Sequence, residues 1–188
     1  MYKNINKFNQ VNIPTKSLVV LDIDETTLKY CDMEQNWWKN KFSHYYSIHD
    51  DYDKAEEQCM ELWKEQIGTT MPEHTDEKGF FEMLELCKKI DCEVIMVTAR
   101  NDSLKGITHE HLNYLDIYDM EVYFAGGGNK GHLIKDITNS VNIECDVKKH
   151  KQYDRIIFID DLEQNLIDVK NEFGDEVICY KFNCDEEK

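Results

Sequence analysis

Apolar residues in this chain gather into short continuous runs, and the stretches between them carry helical spacing. The first run, Leu18-Val19-Val20-Leu21, predicts a strand buried on both faces, and it stops abruptly in Asp22-Ile23-Asp24-Glu25-Thr26. Further strands are predicted over 92–97, 121–124, 155–159 and 176–182. Phe80, Phe81, Leu84 and Cys87 share one face of a helix over 77–90. A second helix, capped by Asn101 or Asp102, carries Leu104, Ile107, His111 or Leu112, and Leu115. Helices near 132–136 and over 163–173 complete the series. Strands that alternate with helices predict an α/β fold: a Rossmann-like parallel sheet, right-handed crossovers, helices on both faces.

Between 31 and 75 this alternation breaks down, and aromatic and charged residues dominate. Ala55, Cys59, Leu62, Trp63, Gln66 and Ile67 fall at helical spacing, with Asp53 as a cap and Gly68 as the stop. A further helix is predicted over 35–46. The organisation that follows is an α/β core from 1–30 and 76–188 with a small, mostly helical insertion over 31–75 after the first strand. Trp37, Trp38, Tyr45, Tyr46 and Trp63 either roof a substrate or pack the insertion on the body.

Composition changes this picture mainly by exclusion. A formal charge of −16 disfavours nucleic acid and anionic lipid as partners. The one basic cluster, Lys148-Lys149-His150-Lys151, reads as a solvated loop. No apolar run is long enough to span a membrane, and residues 1–16 are polar and Asn-rich without the apolar centre of a secretory signal. Seven cysteines without a CxxC pair read as reduced, mostly buried thiols, and with the missing signal they predict a cytoplasmic setting. His109 and His111 are two apart on a helix, share no face, and are assigned no zinc. The glycine turn 125–131 fails the Walker pattern at His132 and reads as a flexible connector.

The candidate chemistry begins at the end of the first strand. Asp22 and Asp24 alternate with Ile23, so the two carboxylates project to one side, where they either sit solvated or share a hard cation such as Mg²⁺. Ligand sites in open α/β sheets lie beyond the carboxyl ends of the strands. Asp22 and Asp24, Thr98, and Asp160-Asp161 each end a predicted strand, so all converge on one edge.

These motifs resemble those of the haloacid dehalogenase superfamily of phosphatases and phosphotransferases. The first, DxDxT, matches Asp22-Ile23-Asp24-Glu25-Thr26, and the Glu before Thr is similar to the acid-phosphatase branch. Met96-Val97-Thr98 matches the second, Lys130 in Asn129-Lys130-Gly131 the third, and Phe158-Ile159-Asp160-Asp161 the fourth. The resemblance runs in order over about residues 17–182 and departs at Asn165, where the paired acidic position holds an amide. It implies that the insertion is a helical cap and that the protein hydrolyses phosphomonoesters of small molecules with Mg²⁺. Asp22 is then the nucleophile that forms an aspartyl phosphate, and Asp24 the acid and base. Thr98 donates to a phosphoryl oxygen, Lys130 supplies positive charge, and Thr26 shapes the turn. Metal ligands are implied at Asp22, the Asp24 backbone carbonyl, and Asp161 or Asp160, with direct ligation by Asp161 preferred. Lys135 is the alternative to Lys130. The other functions open at this point are phosphoryl transfer, removal of phosphate from nucleic-acid ends, and a catalytically silent binding or regulatory role. No sequence feature predicts the oligomeric state.

Overall fold

A computed structural model describes residues 1–31, 33, 37–139 and 153–184. Its centre is a six-stranded sheet in which every pairing is parallel. The strands are β1 (Lys3–Ile5), β2 (Ser17–Leu21), β5 (Glu93–Thr98), β6 (Glu121–Phe124), β7 (Arg155–Asp160) and β8 (Val177–Phe182). Their order across the sheet is β1-β8-β7-β2-β5-β6. The first apolar run, β2, therefore lies inside the sheet, paired to β5 on one side and β7 on the other. All five of its residues are buried.

Side-chain alternation along these strands divides the core in two. Val19, Leu21, Met96, Ile157 and Ile159 face α3 (Glu77–Lys89) and α4 (Lys105–Tyr114) through Phe80, Met83, Cys87 and Leu112. Leu18, Val20, Ile95, Val97 and Phe158 face α5 (Lys130–Asn139) and α6 (Glu163–Phe173) through Ile134, Ile137, Leu166 and Val169. Helices thus cover both faces, and the α/β, Rossmann-like architecture follows. After β6 the chain crosses to the other side of β2, so the carboxyl end of β2 is a switch point where a crevice opens between crossovers.

Several local expectations change. Residues 1–16 supply a sixth strand, because Ile5, Phe8, Val11 and Ile13 are buried and β1 pairs with the C-terminal strand β8. Asp76 caps α3 by accepting from the Gly79 amide at 3.1 Å, and its other oxygen accepts from the Phe8 amide at 2.8 Å, joining this N-terminal segment to the core. In the insertion, α1 spans Trp37–His49 and α2 spans Tyr52–Thr69. Asp51 rather than Asp53 caps α2, its carboxylate accepting from the Lys54 amide at 3.2 Å. Gly68 lies within the helix, which stops at Thr70. Two short strands, β3 (Leu28–Lys29) and β4 (Glu73–His74), pair antiparallel and close the neck of the insertion. Neither Asn101 nor Asp102 caps α4 with its side chain; a 3₁₀ turn over Asp102–Leu104 leads into it instead. Cys59, Cys87 and Cys179 are buried, whereas Cys31 is exposed. The Lys148–Lys151 cluster lies outside the described residues.

The glycine turn is a fastened element rather than a loose connector. Its amides donate to the end of β5: Ala125 to the Thr98 carbonyl at 2.8 Å, Gly126 to Arg100 at 3.0 Å and Gly127 to Ala99 at 2.8 Å. Gly126 and Gly127 have φ of +59° and +78°, a region that costs residues with a Cβ. A Cβ at Gly127 would meet nothing within 4 Å, so backbone strain alone is at stake there. Gly127→Ala should lower unfolding free energy by about 1–2 kcal/mol; an unchanged urea midpoint would argue against a strained turn.

Candidate active site

The turn after β2 is built by backbone geometry and two hydroxyls. Glu25 takes a left-handed φ of +57°, which folds the chain back so that the Thr27 and Leu28 amides donate to the Ile23 carbonyl, both at 2.9 Å. Thr27 Oγ1 donates to the Asp22 carbonyl at 2.7 Å, and Thr75 Oγ1 donates to the Thr26 carbonyl at 2.5 Å. These hydroxyls, rather than that of Thr26, shape the turn; Thr26 Oγ1 is buried without a partner among the described residues. The Asp22 amide donates to the Ile159 carbonyl at 2.9 Å, which carries the β2–β7 ladder to the first acid.

Lys130 joins the acids of the two strand ends. It is the first residue of α5, with Asn129 Oδ1 accepting from the His132 amide at 3.1 Å to start that helix. Its ammonium donates to Asp22 Oδ1 at 2.5 Å and to Asp160 Oδ2 at 2.8 Å, and all three side chains are buried. Lys135 instead lies on the outer surface, half-exposed and paired with Glu172. The structure therefore places Lys130 in the site and Lys135 outside it, and Lys135→Ala should change any turnover by less than about twofold. A large loss in that variant would overturn the assignment.

The paired acids after β7 have different surroundings. Asp160 Oδ1 accepts from the Leu162 amide at 2.8 Å, and the Asn165 amide donates to both Asp160 oxygens at 3.0 Å. With Lys130 on Oδ2, both of its oxygens are engaged. Asn165 thus orients Asp160, a role for which an amide donor is suited and a second carboxylate is not. Asp161 is half-buried, and no described side chain donates to it.

Asp22, Asp160 and Asp161 present carboxylate oxygens that all lie within 4.8 Å of one another. Burial, opposed in part by Lys130 and reinforced by Asp160 and Asp24, pushes the Asp22 carboxyl up to about 7. Burial, then the charges of Asp22 and Asp160, push Asp161 up to about 8. Burial disfavours the Lys130 ammonium, but Asp22 and Asp160 more than offset this and hold it above the ordinary lysine range. Three carboxylates against one ammonium leave an excess of negative charge that a hard divalent cation would balance, and the donors are all oxygen. Asp22 and Asp161, the two acids least committed to protein partners, fit that cation best.

Asp24 stands apart from this cluster. Its carboxylate is held by the Arg100 guanidinium, Nε to Oδ2 at 2.9 Å and Nη2 to Oδ1 at 2.6 Å. It is not one of the clustered acids, so the metal contact expected of Asp24 falls to its backbone carbonyl. Thr98 is buried at the end of β5, and its hydroxyl accepts from the Arg100 amide at 3.1 Å, which leaves its own proton available. Of the aromatic residues in the insertion, Trp63 reaches the site, with its ring 5.6 Å from the Arg100 guanidinium. No residue of α1 is buried.

Arg100 is the site residue that motif reading passed over. One signal was present: the chain contains two arginines among 22 basic residues, and one of them lies two positions after Thr98. In the sequence Asn165 is only a departure from an acidic position; its orienting role follows from the fold that brings its amide onto Asp160. No curated protein matches this chain. A family model described as "Protein of unknown function (DUF2608)" matches residues 2–121 and 115–182, and on that coverage the chain belongs to the DUF2608 family.

Proposed function

We propose that this protein is a Mg²⁺-dependent phosphomonoester hydrolase that works through an aspartyl phosphate on Asp22. The observation that carries this reading is the buried Lys130 ammonium between Asp22 and Asp160 at the switch point of the sheet, with Asp161 beside them. A lysine and three acids are costly to bury together unless the charge is used, and the motif resemblance says for what. Mg²⁺ held by Asp22 and Asp161, with Asp160 oriented behind them, would neutralise the repulsion between a carboxylate nucleophile and a phosphate dianion.

Lys130 keeps Asp22 Oδ1 aimed and supplies positive charge where the phosphoryl oxygens arrive. The Asp22 oxygen attacks phosphorus as the bond to the leaving oxygen breaks. Thr98 gives its free proton to a phosphoryl oxygen as a hydrogen bond. Asp24, once protonated, delivers its proton to the leaving oxygen; as the carboxylate it then takes a proton from the water that attacks phosphorus, which frees Asp22. The substrate class is a small phosphorylated molecule, because net charge −16 disfavours polyanions.

The test is release of p-nitrophenol from its phosphate ester with and without Mg²⁺. Turnover should require the metal and disappear in Asp22→Asn and Asp24→Asn. Equal turnover in chelator, or unchanged turnover in either variant, would refute the reading.

A further inference from the structure

Arg100 has no role in the chemistry above, yet its guanidinium makes four hydrogen bonds beside the site. Its side chain is 0 % exposed and Asp24 is 28 % exposed, so Asp24 meets solvent and Arg100 does not. Besides the two bonds to Asp24, Nη1 donates to Thr108 Oγ1 at 3.0 Å and Nη2 to Tyr30 Oη at 2.8 Å. Thr108 is fixed in turn, its hydroxyl donating to the Leu104 carbonyl at 2.8 Å. The Tyr30 oxygen lies 2.9 Å from His111 Nδ1. Burial and the neighbouring Arg100 charge depress the His111 imidazole to about 4, so it is neutral and takes the Tyr30 proton as a hydrogen bond at Nδ1. Four elements meet here: the segment that ends in Tyr30, the loop after β5, α4 through Thr108 and His111, and α2 through Trp63.

Resting on the phosphatase reading, the geometry points to Arg100 as the positioning residue of the acid–base carboxylate, held by Thr108, Tyr30 and His111 and covered by Trp63 of the insertion. A fork-shaped guanidinium fixes both torsions of Asp24, which an ammonium cannot do. It uses one lone pair on each oxygen and leaves another on each for the leaving oxygen or the water. The carboxylate therefore needs no reorientation when the proton moves. Because Trp63 belongs to α2, the alignment of Asp24 depends on how the insertion sits.

Leaving-group dependence separates positioning from mere structural support. Phenolate is a poor leaving group and needs the proton from Asp24; p-nitrophenolate leaves with little help. Arg100→Lys, which keeps the charge and loses the fork, should lower kcat/KM for phenyl phosphate about 10- to 100-fold and that for p-nitrophenyl phosphate less than about threefold. Tyr30→Phe removes a single hydroxyl and should show the same selectivity at about 3- to 10-fold for phenyl phosphate. It decides the matter if Arg100→Lys fails to fold. Asp24→Asn is the control for loss of the carboxylate itself: steady-state turnover of both esters should disappear, because the attacking water then has no base. Equal losses on both esters in the Arg100 and Tyr30 variants, or no loss on either, overturn the positioning role while leaving hydrolysis in place. A wild-type protein that hydrolyses neither ester with Mg²⁺ removes the phosphatase reading and this inference with it.

Discussion

Asp22→Asn should abolish phosphate-ester turnover and leave the metal-free protein more stable than the parent. An amide is no nucleophile toward phosphorus, so the expected loss of kcat is at least about 10⁴-fold. Stability moves the other way because the Asp22 carboxyl is pushed up to about 7 by burial despite Lys130, so its charge opposes folding on balance. The folded pKa lies above the unfolded one. The contribution of Asp22 is therefore complete below about pH 4 and is lost as pH rises toward 7, whereas Asn is insensitive to pH. In chelator the melting temperature of the variant minus that of the parent should grow between about pH 5 and pH 8. At about 1.4 kcal/mol per pKa unit, the gain is on the order of 1–4 kcal/mol. Millimolar Mg²⁺ should shrink it by stabilising the parent. A difference that narrows with rising pH, or a variant less stable at pH 8, would show that the Lys130 contact outweighs the cost of burying the acid.

Lys130→Met carries the second large effect. Methionine matches the stem in length and removes the ammonium, so Asp22 and Asp160 lose their cation while Asp22, Asp160 and Asp161 still crowd within 4.8 Å. Removing one partner of a buried ion pair costs roughly 3–5 kcal/mol, because the remaining charge stays buried and unpaired. Urea unfolding in chelator at pH 8 should register that loss, and it should diminish at pH 6, where Asp22 and Asp161 take up protons. Mg²⁺ should recover part of the stability and none of the turnover. A midpoint equal to that of the parent at both pH values would mean that the acids are neutral without the lysine.

Local pattern was enough for most of the framework. The apolar runs at 18–21, 92–97 and 155–159 became β2, β5 and β7 within a residue or so of their expected ends. Carboxyl-end convergence of Asp22, Thr98 and Asp160 then followed from strand–helix alternation alone. The two helices between β3 and β4 were legible as a break in that alternation, though the cap of α2 was displaced because Asp51 and Asp53 offer the same local chemistry. The N-terminal strand was not legible: β1 has three residues and exists by pairing with β8, more than 170 positions away.

At the site, residue type and order were in the sequence, and pairing was not. Motif alone favours Lys130 over Lys135, and the rotation of α5 on the sheet sends the first into the acids and the second to Glu172. Asp160 and Asp161 are neighbours, yet the pleat gives Asp160 to Lys130 and Asn165 and leaves Asp161 open. Arg100 meets Asp24 across 76 positions, and Lys130 meets Asp22 across 108. A strand's period determines which side its residues take and where it stops in acid. Which distant charge arrives to meet that acid depends on how the crossovers pack, so Leu18–Asp24 determined the place of the site by itself, and only the tertiary structure decided its partners.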